Sequence, residues 1–320
     1  MSGAGRKRVA CVGVYILDVL ARPIDALPTT QQAVLVDEIK MAPAGTAGGT
    51  AVDLARLGHD VLAVGAVGDD AAGEFLVGIL AREGIDTSAI AVKPATATAA
   101  TVLPISSTGV RPAWHVRGAT TTLGPADLPM DAIAGVDALH YGGVSALPGL
   151  DGEASRDLLA YAKENGVLTT ADCLGIKRDD TLEVFGPSFP YVDVFMPNRG
   201  EVELLTGLRS PEDGARALHA LGPRSVIAKL DADGCFGVGP EGEFHIPAFD
   251  VPVVDTTGCG DAFCSGVITG LLAGWTLEEA AWLGTAAGAQ TAGGLGSDAG
   301  VHDLDDTMNF LDHHRTRVAS

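Results

Sequence analysis

The second half of the chain places the tightest limit on the fold, because from Val136 onward short apolar strands and helices alternate. Strands are expected at 138–141, 167–172, 192–196, 226–230 and 236–238, with helices at about 151–165 and from Glu201 between them. A further helix is expected at 277–291. Repeated β-α-β units with short links imply a mostly parallel sheet covered by helices on both faces, an α/β class. Ligands of such sheets sit beyond the carboxyl ends of the strands. The residues expected to emerge there are Asp18, Gly142, Asn198 and Gly258.

The first third departs from that rhythm. Residues 8–14 read as a buried strand, with Val9, Val12 and Val14 around Gly13, and 61–67 as another. A helix is expected from 68–70 to about Glu83, then a turn at 84–87. Residues 33–41 alternate apolar and polar side chains (Val34, Val36, Ile39, Met41), the pattern of a half-exposed strand. Residues 98–105 and 114–117 read as two more short strands. These are expected to form a small β-sheet lid, inserted at about 15–42 and 96–120 into one domain spanning 1–320. A lid that closes over a site excludes water from it.

A length of 320 residues suits one large α/β domain with an appendage. The chain is 47% hydrophobic, yet no apolar run approaches the ~18 residues of a membrane span. The short start (1–8), and Asp18 interrupting the apolar stretch behind it, argue against a signal peptide. Five cysteines (Cys11, Cys173, Cys235, Cys259, Cys264) are odd in number and form no CxxC pair, so a cytoplasmic, reducing location is expected. A net charge of −20 argues against nucleic acid or an anionic membrane as partner.

The chemistry is concentrated in 255–263, Asp-Thr-Thr-Gly-Cys-Gly-Asp-Ala-Phe. A valine-rich extended stretch (Val251, Val253, Val254) precedes it, and an apolar helix (262–275) follows. Glycines let backbone N–H groups crowd together, and a helix start adds its positive dipole end, so the turn is an anion site. Asp261 stands at its mouth, where a carboxylate repels a bound anion unless it takes a proton from an attacking hydroxyl. Phosphoryl transfer to an alcohol follows. The bland alternative is a glycine-rich helix start with a capping aspartate.

The stretch 255–266 closely resembles the second signature of the ribokinase-like (PfkB) carbohydrate kinases, D-T-x-G-A-G-D-x-F-x-x-G, with Cys259 in the alanine's place. Residues 43–49, Pro-Ala-Gly-Thr-Ala-Gly-Gly, resemble the first signature, and Asp18, five residues past Gly13, resembles its substrate-binding aspartate. The resemblance implies a ribokinase-like fold with a lid, and an ATP-dependent phosphotransferase acting on a sugar hydroxyl. It casts Asp261 as the base, with the N–H groups of Gly258, Cys259 and Gly260 around the transferring phosphoryl group. Asp18, Gly45, Gly49, Gly142 and Arg117 are expected near the acceptor, with His115 or Trp114 suited to a sugar face. Lys229, Asp231, Gly234, Thr257 and Asn198 are expected near the nucleotide. Mg²⁺ is implied near Asn198 and Glu201, largely through water, and a monovalent cation such as K⁺ at Asp255.

Two departures stand out. The first signature's sugar-contacting asparagine is Gly49 here, which predicts a wider or less polar pocket, with Thr50 or Asp53 as replacements. The first glycine of the Gly-x-x-Gly turn beside the nucleotide is Asp231. Some alternatives remain open. Asn198 and Glu201 also read as a capping box. The enzyme alternative is a nucleoside kinase of the same superfamily, and the non-enzyme alternative a non-catalytic sugar-binding regulator. Exposed lid strands suggest a homodimer, and His313-His314 reads as an exposed tail pair.

Overall fold

The computed structural model describes residues 6–31, 33–176 and 178–318. Strand β1 (Arg8–Gly13) lies in the interior of the larger sheet, away from its edges, and both of its faces are apolar. Val9 and Cys11 point into one core, Ala10 and Val12 into the other. Such doubly buried strands need helices on both sides. Each fully buried Val or Leu contributes roughly 1.5–3 kcal/mol.

Two links away from β1 come β2 (Ile16–Arg22) and β3 (Glu38–Ala44), then α1 (Gly48–Arg56), β4 (Asp60–Gly68), α2 (Ala71–Arg82) and β5 (Asp86–Lys93). Strands β6 (Ala100–Pro104) and β7 (Trp114–Val116) follow, then a short helix α3 (Met130–Ile133) and β8 (Ala138–Val144). The alternation continues with α4 (Glu153–Glu164), β9 (Leu168–Cys173), α5 (Thr181–Phe185), β10 (Val194–Phe195), α6 (Arg199–Thr206), α7 (Pro211–His219) and β11 (Ser225–Lys229). It ends with β12 (Cys235–Gly239), β13 (Gly242–Ile246), α8 (Cys259–Leu272), α9 (Leu277–Ala292) and α10 (Leu304–Val318).

The main sheet has nine strands in the order β13-β12-β11-β10-β9-β8-β1-β4-β5. Neighbours pair parallel from β5 to β11, and only β12 runs against the rest, pairing antiparallel with both β11 and β13. A second sheet, β3-β2-β6-β7, stands apart from it. Here β2 pairs antiparallel with β3 and parallel with β6, and β6 pairs antiparallel with β7.

Several expectations need correcting. The expected turn at 84–87 is confined to its start, with Gly84 at φ 80°, and from Asp86 the chain is already edge strand β5, whose half-exposed residues give little apolar signal. The half-exposed strand expected at 33–41 begins only at Glu38. The extended stretch expected at 251–254 joins neither sheet, and Val254 N–H donates to Ala292 O at 2.8 Å. The histidine pair lies on α10, where His313 is exposed but His314 is half-buried and stacks on Phe310 with centroids 4.0 Å apart.

Candidate active site

Helix α8 begins at the carboxyl edge of the main sheet. Gly258 caps it with φ of 82°, and a Cβ there would lie 2.4 Å from the Ser297 Cα, so only glycine fits the turn. Among the described residues, the N–H groups of Gly258, Gly260 and Asp261 have no backbone acceptor, whereas that of Cys259 reaches back to Thr256 O at 3.4 Å. Free amides at a helix start form an anion site. Asp261 N–H thus joins the set expected from sequence, and Cys259 N–H is partly engaged.

The Asp261 side chain packs against Gly49, where a Cβ would fall 2.5 Å from Asp261 Oδ2. This overturns the wider pocket expected at Gly49. The space an asparagine would need is occupied by the Asp261 carboxylate, and the missing side chain lets α1 approach α8. Neither expected replacement lines a pocket. Thr50 is buried and its hydroxyl donates to Asp261 O at 3.3 Å. Asp53, one turn further along the same face of α1, is fully buried and neither of its carboxylate oxygens has a hydrogen-bond partner. Burial first, then the nearby Asp261 charge, push Asp53 well above the ordinary carboxylate range. An unpaired buried polar group costs about 1–3 kcal/mol. Replacing it by alanine (Asp53→Ala) is therefore expected to raise the melting temperature by a few degrees. A fall measured by calorimetry would show that Asp53 has a partner.

Asp18 lies inside lid strand β2, paired with Ala42 on one side and Thr101 on the other. It is 5% exposed. Burial raises its pKa to about 6, opposed by the Thr101 hydroxyl and the Arg111 charge and assisted by Asp255. Asp261 is raised further, to about 8, first by burial and then by Asp172, with Lys229 opposing and Asp18 and Glu201 adding. The charge of Asp18 is thus close enough to help raise Asp261.

Arg117 is exposed at the lid. Arg111 reaches the site instead: its Nε lies 3.4 Å from Asp255 Oδ1 and its Nη2 3.5 Å from Thr256 Oγ1. Asp255 also accepts from Thr257 N–H (3.0 Å), the Thr257 hydroxyl (2.8 Å) and Gly296 N–H (3.0 Å). Gly45 and Gly142 are sites of close backbone approach: a Cβ on Gly142 would lie 2.5 Å from Ala47 N, and one on Gly45 2.4 Å from Val14 O.

On the nucleotide side, Asn198 caps α6 by accepting from Glu201 N–H at 2.9 Å, and Glu201 Oε2 accepts from Asn198 N–H at 2.8 Å. The capping box is real. Glu201 Oε1 also accepts from Gly175 N–H at 2.7 Å. Glu201 is 3% exposed, and its pKa is raised by burial and by Asp172. Among the described residues no three His, Cys, Asp or Glu side chains cluster as a metal cage. A Mg²⁺ ion fits this pair only as one carrying its own waters and phosphate ligands, the usual habit of that ion. Asp231 keeps the left-handed backbone of the glycine it replaces (φ 54°), a conformation aspartate tolerates better than most residues. Gly234 closes the turn, where a Cβ would lie 1.9 Å from Ile246 O. Arg199 ties this turn to α6 through Leu230 O and Asp233. Lys229, at the end of β11, donates to Asp172 Oδ2 at 2.6 Å.

A parallel sheet, a separate lid sheet, an amide-lined helix start and a carboxylate in that helix's first turn together define a phosphotransferase that acts on an alcohol. Residues 6–304 match the pfkB family of carbohydrate kinases, and the chain belongs to that family. It is an ATP-dependent kinase of a sugar or sugar-like substrate. It is 27% identical to the aminoimidazole riboside kinase of Salmonella typhimurium over 91% of this chain and 93% of that protein. It is 30% identical to the 5-dehydro-2-deoxygluconokinase of Clostridium perfringens over 77% of this chain and 76% of that protein. The aminoimidazole riboside kinase of Salmonella enterica, solved with aminoimidazole riboside and an ATP analog, superposes with a TM-score of 0.77 at 26% identity, covering 95% of this chain and 99% of that one. The Arabidopsis thaliana ribokinase, solved with ribose and ATP, shares the fold with a TM-score of 0.82 at 20% identity, covering 96% and 99%. Among the described residues no helix is long and apolar enough to cross a membrane.

Proposed function

We propose that Asp261 is the base that accepts the proton of the sugar hydroxyl while that oxygen attacks the γ-phosphorus of ATP. The observation that carries this reading is the position of the carboxylate: it stands in the first turn of α8, against Gly49, beside the free amides of Gly258 and Gly260. The acceptor is held by Asp18, whose carboxylate can take hydrogen bonds from two neighbouring hydroxyls. The amides stabilise charge on the transferring group. Mg²⁺, carried in with ATP near Asn198 and Glu201, supplies positive charge to the leaving diphosphate. Lys229, Asp231 and Gly234 border the nucleotide, and Thr257 fixes the loop beneath it. A monovalent cation such as K⁺ at Asp255 would share that carboxylate with Thr257, Gly296 and Arg111.

The acceptor is identified by offering ribose, fructose, 2-keto-3-deoxygluconate, adenosine and aminoimidazole riboside with MgATP and following ADP release. A riboside preferred over every free sugar would favour the nucleoside-kinase alternative, and silence with every acceptor would favour the regulator. With the true acceptor, kcat/KM is expected to fall about tenfold per pH unit below pH 8. A base whose pKa lies at about 8 in the free enzyme is protonated there and ionises as pH rises. A profile flat down to pH 6 would remove Asp261 from the role.

The lid is the expected dimer contact. Its register aligns Met41 with Val19, Val19 with Val102, and Val102 with Trp114, in one row across the sheet. Met41, Val102 and Trp114 are 44%, 45% and 52% exposed, and Ile39 and Val116 flank them at 68% and 49%. An apolar sheet face of this kind, rather than its edges alone, is what a second copy would cover. Light scattering is expected to give twice the 32.6 kDa chain mass, and Val102→Asp to give the single chain. A monomeric parent would end this part of the reading.

A further inference from the structure

The buried ammonium of Lys229 is a charge that anion-site geometry alone does not require. Its side chain is 13% exposed, and its partner Asp172, at the end of neighbouring strand β9, is 2% exposed. Lys229 Nζ lies 2.6 Å from Asp172 Oδ2 and 3.9 Å from Cys264 Sγ, while Asp172 Oδ1 accepts from Cys173 N–H at 2.8 Å. The Cys264 thiol, one turn after Asp261 on α8, also reaches Asp172 Oδ2 at 3.5 Å. A Cβ built on Gly260 would meet Lys229 Nζ at 3.3 Å. The ammonium therefore packs directly against the first turn of α8, where the missing side chain of Gly260 leaves it room.

That arrangement uses one strong donor of the three an ammonium has. It leaves the ammonium, paired on one side with Asp172, beside the free amide of Gly260 and near the carboxylates of Glu201 and Asp261. Burial works against the charge, but Asp172 leads the groups that reverse this and hold Lys229 above its ordinary range, so it keeps its proton throughout. Such a cation does its work when negative charge moves. As the bond from the γ-phosphorus to the acceptor oxygen forms, the bond to the β,γ-bridging oxygen breaks and its electron pair leaves with ADP. The hydroxyl proton goes to Asp261. A fixed cation at the floor of the site stabilises the redistributed charge more than the ground-state nucleotide.

Resting on the kinase reading above, we propose that Lys229 is a catalytic residue that stabilises the transferring phosphoryl group, and that Asp172 is the positioning residue that holds its ammonium against Gly260. A residue that merely binds ATP would affect KM; this role affects kcat. Lys229→Met is expected to lower kcat about 10²–10³-fold, the effect of removing one oxyanion donor, with KM for MgATP within about threefold of the parent. Lys229→Arg is expected to recover part of that loss, and Asp172→Asn to lower kcat less than Lys229→Met does. Because removing one member of a buried pair can unfold a protein, the double variant Lys229→Met/Asp172→Asn removes both charges together. It is expected to fold, by its circular dichroism and melting temperature, and to keep the low kcat. A folded double variant with more than a third of the parent kcat overturns the proposal. So does a Lys229→Met enzyme in which KM rises while kcat holds, or an Asp172→Asn enzyme with full kcat. A parent that turns over no ATP with any acceptor would instead overturn the kinase reading itself.

Discussion

Asp261→Asn is expected to lose 10²–10⁴-fold in kcat with little change in KM for either substrate. The amide keeps the shape of the carboxylate and removes its capacity to take a proton, the usual contribution of a general base. In barrier terms the loss is about 3–5 kcal/mol. The carboxylate touches Gly49, Thr50 hydrogen-bonds its backbone, and α8 carries it in its first turn, so the variant has little room to rearrange. Stopped-flow measurement of a single turnover separates the chemical step from product release. A variant retaining more than about a tenth of the parent rate would mean that the proton leaves by another route.

The second large effect is expected at a position with no functional group. Gly49→Ala places a methyl where Asp261 Oδ2 now stands, 2.5 Å from the new carbon. Either the carboxylate rotates away or α1 and α8 separate, and a displacement of about 1 Å near the reacting atoms can cost 10²-fold. We expect kcat to fall by about that factor while the melting temperature changes by only a few degrees, because the displaced group is one partly exposed side chain. Gly49→Asn, which restores the residue of the resembling signature, is expected to do at least as much harm here. Full activity in either variant would show that the crevice widens at no cost to the position of Asp261.

The contrast between these two positions explains how far the sequence could be read. Asp261 was legible because a helix start, a glycine turn and a carboxylate are local features, spaced within a few residues. The parallel sheet was legible for the same reason, since strands such as β1 and β8 are continuous apolar runs between short links. Gly49 was misread because its meaning depends on a residue more than two hundred positions away, and no spacing rule reports that contact. Asp53 and Asp172 look like any other carboxylates until burial is known. Edge strand β5 was missed because its half-exposed residues carry a weaker apolar pattern. Arg111 enters the site through a lid loop whose conformation only tertiary packing fixes.

Strand β2 has an implication that reaches beyond the chemistry. Asp18 lies on the buried face of the strand while the next residue, Val19, belongs to the row running from Met41 to Trp114 on the opposite side of the same sheet. On the readings proposed above, two neighbouring residues would serve two separate encounters, one with the sugar and one with a second subunit. A tilt of the strand that improves either fit displaces the other. Where both encounters occur, sugar affinity and self-association share one free energy, and by thermodynamic reciprocity each shifts the other by the same factor.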